Sequence, residues 1–328
     1  MKRRKWNSRR RRQISILLFV TILIIFAVGP YIFRMESLRQ AKSNYDVDKV
    51  QDELLWLEKH AYLLNKLKLT KETKLWLELN LGSKDVEEKL ISYQDKKHQF
   101  WFAIYHLQAG NLIEVENLLE SMNPSPRRQL GKGFLSLVKG DAKQTQELLT
   151  GTKEDWKSMT RQEQCVRHLT LAQAALILED YPTTKIELEV AQQLDPNNPA
   201  CLSVEFDLAL AQDQWAKASE LSQLIDVQAW RPQNSLYQTK KAVLAIHETN
   251  SWTLSDSLTL LKEHPQGGAN ISYVNGIIAL KKGQLHEGKT LLELALKKGL
   301  EGGVQVDAQK ALKQVLERQS AEQVLRSW

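Results

Sequence analysis

Residues 165–196 read CVRHLTLAQAALILEDYPTTKIELEVAQQLDP, and the reading of these letters decides the fold. Apolar residues recur at helical spacing on both sides of a short polar turn, Glu179-Asp180, and an Asp-Pro exit follows. Two helices of roughly 12–14 residues joined by a tight turn account for the whole stretch. The same plan repeats along the chain. Comparable turns stand at Gly110-Asn111, Gly140-Asp141, Asp213-Gln214, Asn250-Ser251 and Gly283-Gln284, at a mean spacing of about 35 residues. No run in this region alternates with period two for long enough to form a strand, so the body is expected to be all-α.

The stretch from Cys165 to Pro196 resembles a tetratricopeptide repeat (TPR), a 34-residue helix–turn–helix unit with small residues at fixed positions. Leu171, Ala172 and Ala175 fall on the first-helix positions of that pattern, and Thr184, Leu188 and Ala191 on the second. The segment from Ala269 fits as well, with Gly276 and Ala279 on one helix and Gly288, Leu292 and Ala295 on the other. The unit from Pro199 departs from the pattern: Phe206 stands where a small residue belongs and Ser222 where a large one does. The resemblance implies a right-handed superhelical solenoid of helix pairs over residues 96–303, closed by a C-terminal capping helix over 304–328. Residues 34–95 are expected to be helical, either as a stalk or as degenerate N-terminal repeats.

The charge is uneven. The chain of 328 residues has a net charge of +6, yet the first twelve residues, MKRRKWNSRRRR, hold eight basic residues and no acidic ones. The remainder carries 37 basic against 39 acidic residues, which excludes a general affinity for nucleic-acid backbones. Gln13 to Phe33 contains no charged residue, and residues 14–33 would make a helix of about 30 Å, enough to cross a bilayer core. A cleaved signal peptide has a shorter apolar core ending in small residues, whereas the small stretch here, Ala27-Val28-Gly29-Pro30, puts a proline at the cleavage position. The organisation expected is therefore a basic cytoplasmic tail over 1–12, a single-pass anchor over 13–33 and an extracytoplasmic body in the cell membrane. Arg34, Arg39 and Lys42 beyond the span weaken the charge contrast without reversing it.

Residues 283–290, GQLHEGKT, match the phosphate-binding pattern G-x-x-x-x-G-K-[ST]. A nucleotide site built on Gly283, Gly288, Lys289 and Thr290 needs a buried strand before the first glycine and further strands after the loop. SYVNGIIALKKG precedes it and only 38 residues follow. The repeat accounts for the same letters: Gly283 is the turn and Gly288 the small position of the second helix. Other chemistry is sparse. His98 and His106 are eight residues apart, which is not metal-pair spacing; Glu87-Glu88 reads as a solvated helix face; no nucleophile motif is present. No catalytic residue, metal or cofactor is expected, and the protein is read as a non-enzyme. Cys165 and Cys201 are too few for a disulfide scaffold, and 36 residues apart they stand on adjacent first helices, paired or free. Asn270-Ile271-Ser272 is a glycosylation sequon, meaningful only in a eukaryotic secretory setting.

The remaining candidate is a groove. First helices line the concave side of such a solenoid, which places Gln173, Asp207, Tyr237, Lys240, His247, Tyr273 and Lys281 on a surface suited to an extended peptide or a partner helix. The chain is thus expected to be a membrane-anchored scaffold or assembly factor that binds a membrane or envelope protein in this groove. TPR domains that hold chaperone C-termini use recurring Lys and Asn positions, and no such recurrence is present. A glycan or lipid ligand is the alternative occupant, and a nucleotide at Gly283–Thr290 the alternative site.

Overall fold

The computed structural model of the chain describes residues 30–44, 46–60, 70, 73, 74, 77, 100, 103, 106, 111–151, 156–227, 235–264 and 267–326. The basic tail, residues 13–29 of the anchor, most of residues 61–95 of the expected stalk or degenerate repeats, with Glu87-Glu88 among them, and His98 lie outside them. Every regular element among the described residues is a helix, so the all-α class holds. None of those helices is long and apolar enough to cross a membrane. The chain divides into two compact units, Met1–Val86 and Glu87–Trp328.

In the first unit, residues 30–43 form a helix and α1 spans Val47–His60. They run antiparallel, because Tyr31 reaches the carbonyl of His60 while Arg34 and Ser37 both reach Glu53. Leu38, Ala41, Val50, Leu54 and Leu57 fill the seam. Glu53 is only 4% exposed, and a buried carboxylate must be paired. Arg34 donates to both its oxygens at 3.0 and 3.1 Å, Ser37 donates at 2.7 Å, and the guanidinium lies 5.1 Å from the Trp56 ring.

The second unit holds α2 (Leu112–Ser121), α3 (Pro126–Val138), α4 (Ala142–Leu149), α5 (Arg161–Ile177), α6 (Tyr181–Leu194), α7 (Pro199–Ala211) and α8 (Trp215–Val227). It continues with α9 (Ser235–Glu248), α10 (Ser251–Glu263), α11 (Gly267–Lys281), α12 (Leu285–Lys297) and the longer α13 (Gly302–Arg326). The helices pair as α3/α4, α5/α6, α7/α8, α9/α10 and α11/α12. The first helices also pack in succession, α3 on α5, α5 on α7, α7 on α9 and α9 on α11.

One turn recurs in all five pairs. Gly140, Glu179, Asp213, Thr249 and Gly283 each adopt a left-handed conformation, at φ +80°, +62°, +55°, +58° and +78°. The next residue then donates its N–H to the carbonyl five positions back, as in Asp141 to Ser136, Asp180 to Ala175, Gln214 to Ala209, Asn250 to Ala245 and Gln284 to Ala279, at 2.8–2.9 Å. This is the Schellman closure, which satisfies the orphan carbonyls of the first helix while reversing the chain. Asp141, Asp180 and Asn250 cap the second helix, accepting from the N–H three residues on at 3.0–3.1 Å. Five residues past the left-handed position a small buried side chain lets the pair cross closely: Thr145, Thr184, Ala218 and Gly288. A Cβ at Gly288 would stand 2.4 Å from a Leu280 methyl, so that crossing has no spare room.

Candidate functional site

The face formed by the first helices is where the expected groove residues fall, and the structure sorts them into four groups. Asp207 on α7 and Lys240 on α9 are bridged at 2.6 Å, both largely shielded from solvent. His247 and Lys281 meet at the ends of α9 and α11. The Lys281 ammonium donates to the carbonyl oxygens of Ile246 and His247, a cation placed on the negative end of α9, while the exposed His247 ring stacks on Trp215 at 3.8 Å. Gln173 is half-buried on α5.

Tyr237 and Tyr273 lie inside the protein and offer no open face to a partner. Tyr237 packs edge-on against Phe206, and its hydroxyl has Ser222 O at 3.0 Å and Asp226 Oδ1 at 2.8 Å as acceptors. The Ser222 hydroxyl is 3.1 Å away. Desolvation pushes this phenol well above its ordinary range; Asp226 adds to the effect, while the Ser222 hydrogen bond opposes it. Tyr273 is raised by burial first and by Asp307 second.

Asp307 belongs to α13, which does more than close the end of the stack. Its residues Val304 and Ala308 are buried with Ala242, Tyr273, Leu292 and Ala295, and Ala311 and Leu312 continue the stripe. Its flank reaches much earlier parts of the chain. Lys310 bridges Glu179 at 2.5 Å, across 131 residues. A Cβ at Gly303 would lie 3.9 Å from Ile177 and 4.0 Å from Lys240 Nζ, and one at Gly140 would lie 3.3 Å from Gln305 Oε1. Helix α13 therefore packs chiefly on α12, while its first turns also reach side chains of α5, α9 and α11 and the α3/α4 turn. Asp307 keeps part of its surface in solvent, yet the surrounding helices crowd it. Desolvation holds its carboxyl above the usual range, Lys240 and Lys310 pull it down, and Asp207 and Glu179 push it up. The apolar spacing of Val304, Ala308, Ala311, Leu312 and Val315 was a readable signal for this helix. Its partners were not readable.

The letters GQLHEGKT join two helices. Gly283 is the left-handed turn, Gly288 is buried in α12, Lys289 lies 3.8 Å from Glu293 one turn on, and Thr290 Oγ1 donates to the carbonyl of His286 at 3.0 Å. Helix α11, not a strand, precedes the loop. A separate cleft of about 670 Å³ opens beside Ser125, Arg128, Leu148, Thr150 and Trp156. The Trp156 indole N–H and the Arg128 Nε in its wall have no hydrogen-bond partner among the described residues, but both atoms are sealed from solvent, so no ligand oxygen reaches them without a shift of these side chains. Among the described residues, no three His, Cys, Asp or Glu side chains converge as metal ligands.

No protein-family model matches the chain, and no curated protein matches it significantly.

Proposed function

We propose that the second unit is a TPR-like superhelical solenoid that serves as a membrane-anchored scaffold, holding a helical segment of an envelope or membrane protein on the face of its first helices. One observation carries the reading: that face already accommodates a helix, α13, whose Val304 and Ala308 are buried beside the ion pairs Asp207–Lys240 and Glu179–Lys310. A surface that binds one helix by small apolar contacts and paired charges is suited to another of the same kind. The recurrent Schellman turns and the succession of first-helix contacts support the solenoid. The uncharged stretch over 14–33 and the eight basic residues before it support the anchor, with the N-terminus in the cytoplasm. Confinement to the membrane raises the effective concentration of the scaffold near partners in the same plane.

The test is affinity capture by the full chain in mild detergent beside the charge-swapped variant Asp207→Lys/Lys240→Asp. The swap keeps an ion pair within the fold and inverts the charges on the first-helix face. A protein held by the natural chain and lost from the swapped one supports the scaffold. Identical captured sets, or an empty set from both, would remove the first-helix face as a docking surface.

A further inference from the structure

Cys165 stands in the second turn of α5 and Cys201 in the first turn of α7, the first helices of two successive pairs. Both are free, at 0% and 3% exposure, in one apolar cluster with Leu169, Ala172, Leu188, Ala191 and Val204. The two side chains meet in that cluster, where α5 packs on α7. Cys165 Sγ also lies 3.4 Å from the Ala191 carbonyl, and the Asn198 side-chain amide donates to it at 3.4 Å. Two thiolates fall short of the four ligands of a structural zinc site, and no third ligand joins them among the described residues. Thiol–disulfide chemistry is what remains for a touching pair.

The pair is not symmetric. The hydrogen bond from Cys201 lowers the Cys165 thiol below its ordinary value, with the Asn198 amide helping, while burial and Asp195 oppose it. Cys201 is pushed far up, first by that same bond and then by burial. Of the two, Cys165 is the readier to lose its proton and act as the nucleophile.

We propose that Cys165 and Cys201 form a reversible disulfide that ties the first helices of two neighbouring pairs together. The oxidant is a small disulfide such as oxidised glutathione. The Cys165 thiolate attacks one sulfur of it, forming a mixed disulfide and releasing one thiolate, which takes up the proton of Cys201. The Cys201 thiolate then attacks Cys165 Sγ, closing the protein disulfide and expelling the second small thiolate, which solvent protonates. Two protein thiols are oxidised and one small disulfide is reduced to two thiols. The connection Asp195–Asn198 lies beside the sulfurs, so exchange proceeds when this connection opens, or as the chain folds in an oxidising compartment.

The full chain, refolded in detergent with oxidised glutathione or with dithiothreitol, is assayed by intact mass and by thiol count after denaturation. Two thiols are expected in the reduced sample, and none in the oxidised one, with the loss of two hydrogens and no glutathione adduct. Cys201→Ala and Cys165→Ala are each expected to hold at most one glutathione and to form no internal cross-link. Persistence of both thiols, or glutathione on both cysteines without a cross-link, overturns the proposal. If a single variant fails to fold, the mass of the natural chain alone decides the cross-link.

Discussion

The docking of α13 is open to a quantitative test through Val304→Ala. Val304 is 1% exposed and packs in the cluster that contains Ala242, Tyr273, Leu292 and Ala308. The substitution deletes two methyl groups, at about 0.8 kcal/mol each for transfer alone. The cavity left behind adds to this, bringing the loss to about 2 kcal/mol. If α13 leaves the first-helix face as a local opening, its amides exchange through that opening, and a loss of about 2 kcal/mol speeds them roughly 30-fold. Native-state hydrogen exchange read by mass spectrometry resolves this segment. Peptides covering 302–315 are expected to exchange about 30-fold faster in the variant, while those from α2 and α6 hold their rates. The control Glu317→Ala removes only an exposed contact to Lys313 at 3.9 Å and is expected to leave exchange within about twofold. Uniform acceleration across all the helices would mean that α13 opens only when the unit unfolds. No acceleration would mean that Val304 is not buried in solution. Either result refutes an independently docked helix.

Thr249 holds a left-handed conformation at φ +58°, which costs a β-branched residue about 1–2 kcal/mol. Thr249→Gly, after glycine's own entropic penalty, is expected to stabilise the protein by about 0.5–1 kcal/mol in urea denaturation; a fall in stability would show the turn is not left-handed. Tyr237→Phe keeps the ring against Phe206 and removes the hydroxyl next to Ser222 and Asp226, so a loss of about 1–3 kcal/mol is expected by the same assay. No change would mean that water already serves those partners. Asp307 has a raised carboxyl, so the folded protein binds its proton more tightly than the unfolded chain does. Its contribution is complete below the ordinary aspartate range and is lost as pH rises through the higher folded value. Asp307→Asn is accordingly expected to be the more stable form at pH 7, with the advantage gone on acidification to pH about 3. An advantage independent of pH would place the effect in packing instead.

The distance between contacts along the chain separates what could be read from what could not. The turns were legible because a left-handed closure needs only six consecutive residues, and its recurrence marked the helix pairs even where Glu179, Asp213 and Thr249 replaced glycine. The meeting of Cys165 and Cys201 was foreshadowed for a related reason: 36 residues is one helix pair and a little more, so both fall on neighbouring first helices. Assigning faces on those helices was harder. A first helix packs against its own partner, the preceding pair and the following one, so apolar residues surround most of it and periodicity no longer picks out an open side. Tyr237 and Lys240 are three residues apart on α9, yet one enters the seam with α8 while the other bridges to α7. The destination of α13 was beyond local reading for a deeper reason. Whether Lys310 reaches Glu179 depends on how far the intervening helix pairs turn, a sum of small crossing angles that no single segment encodes. A change at any one of those crossings, such as the tight contact of Gly288 with Leu280, is therefore expected to be felt at the α13 contacts, far from where it is made.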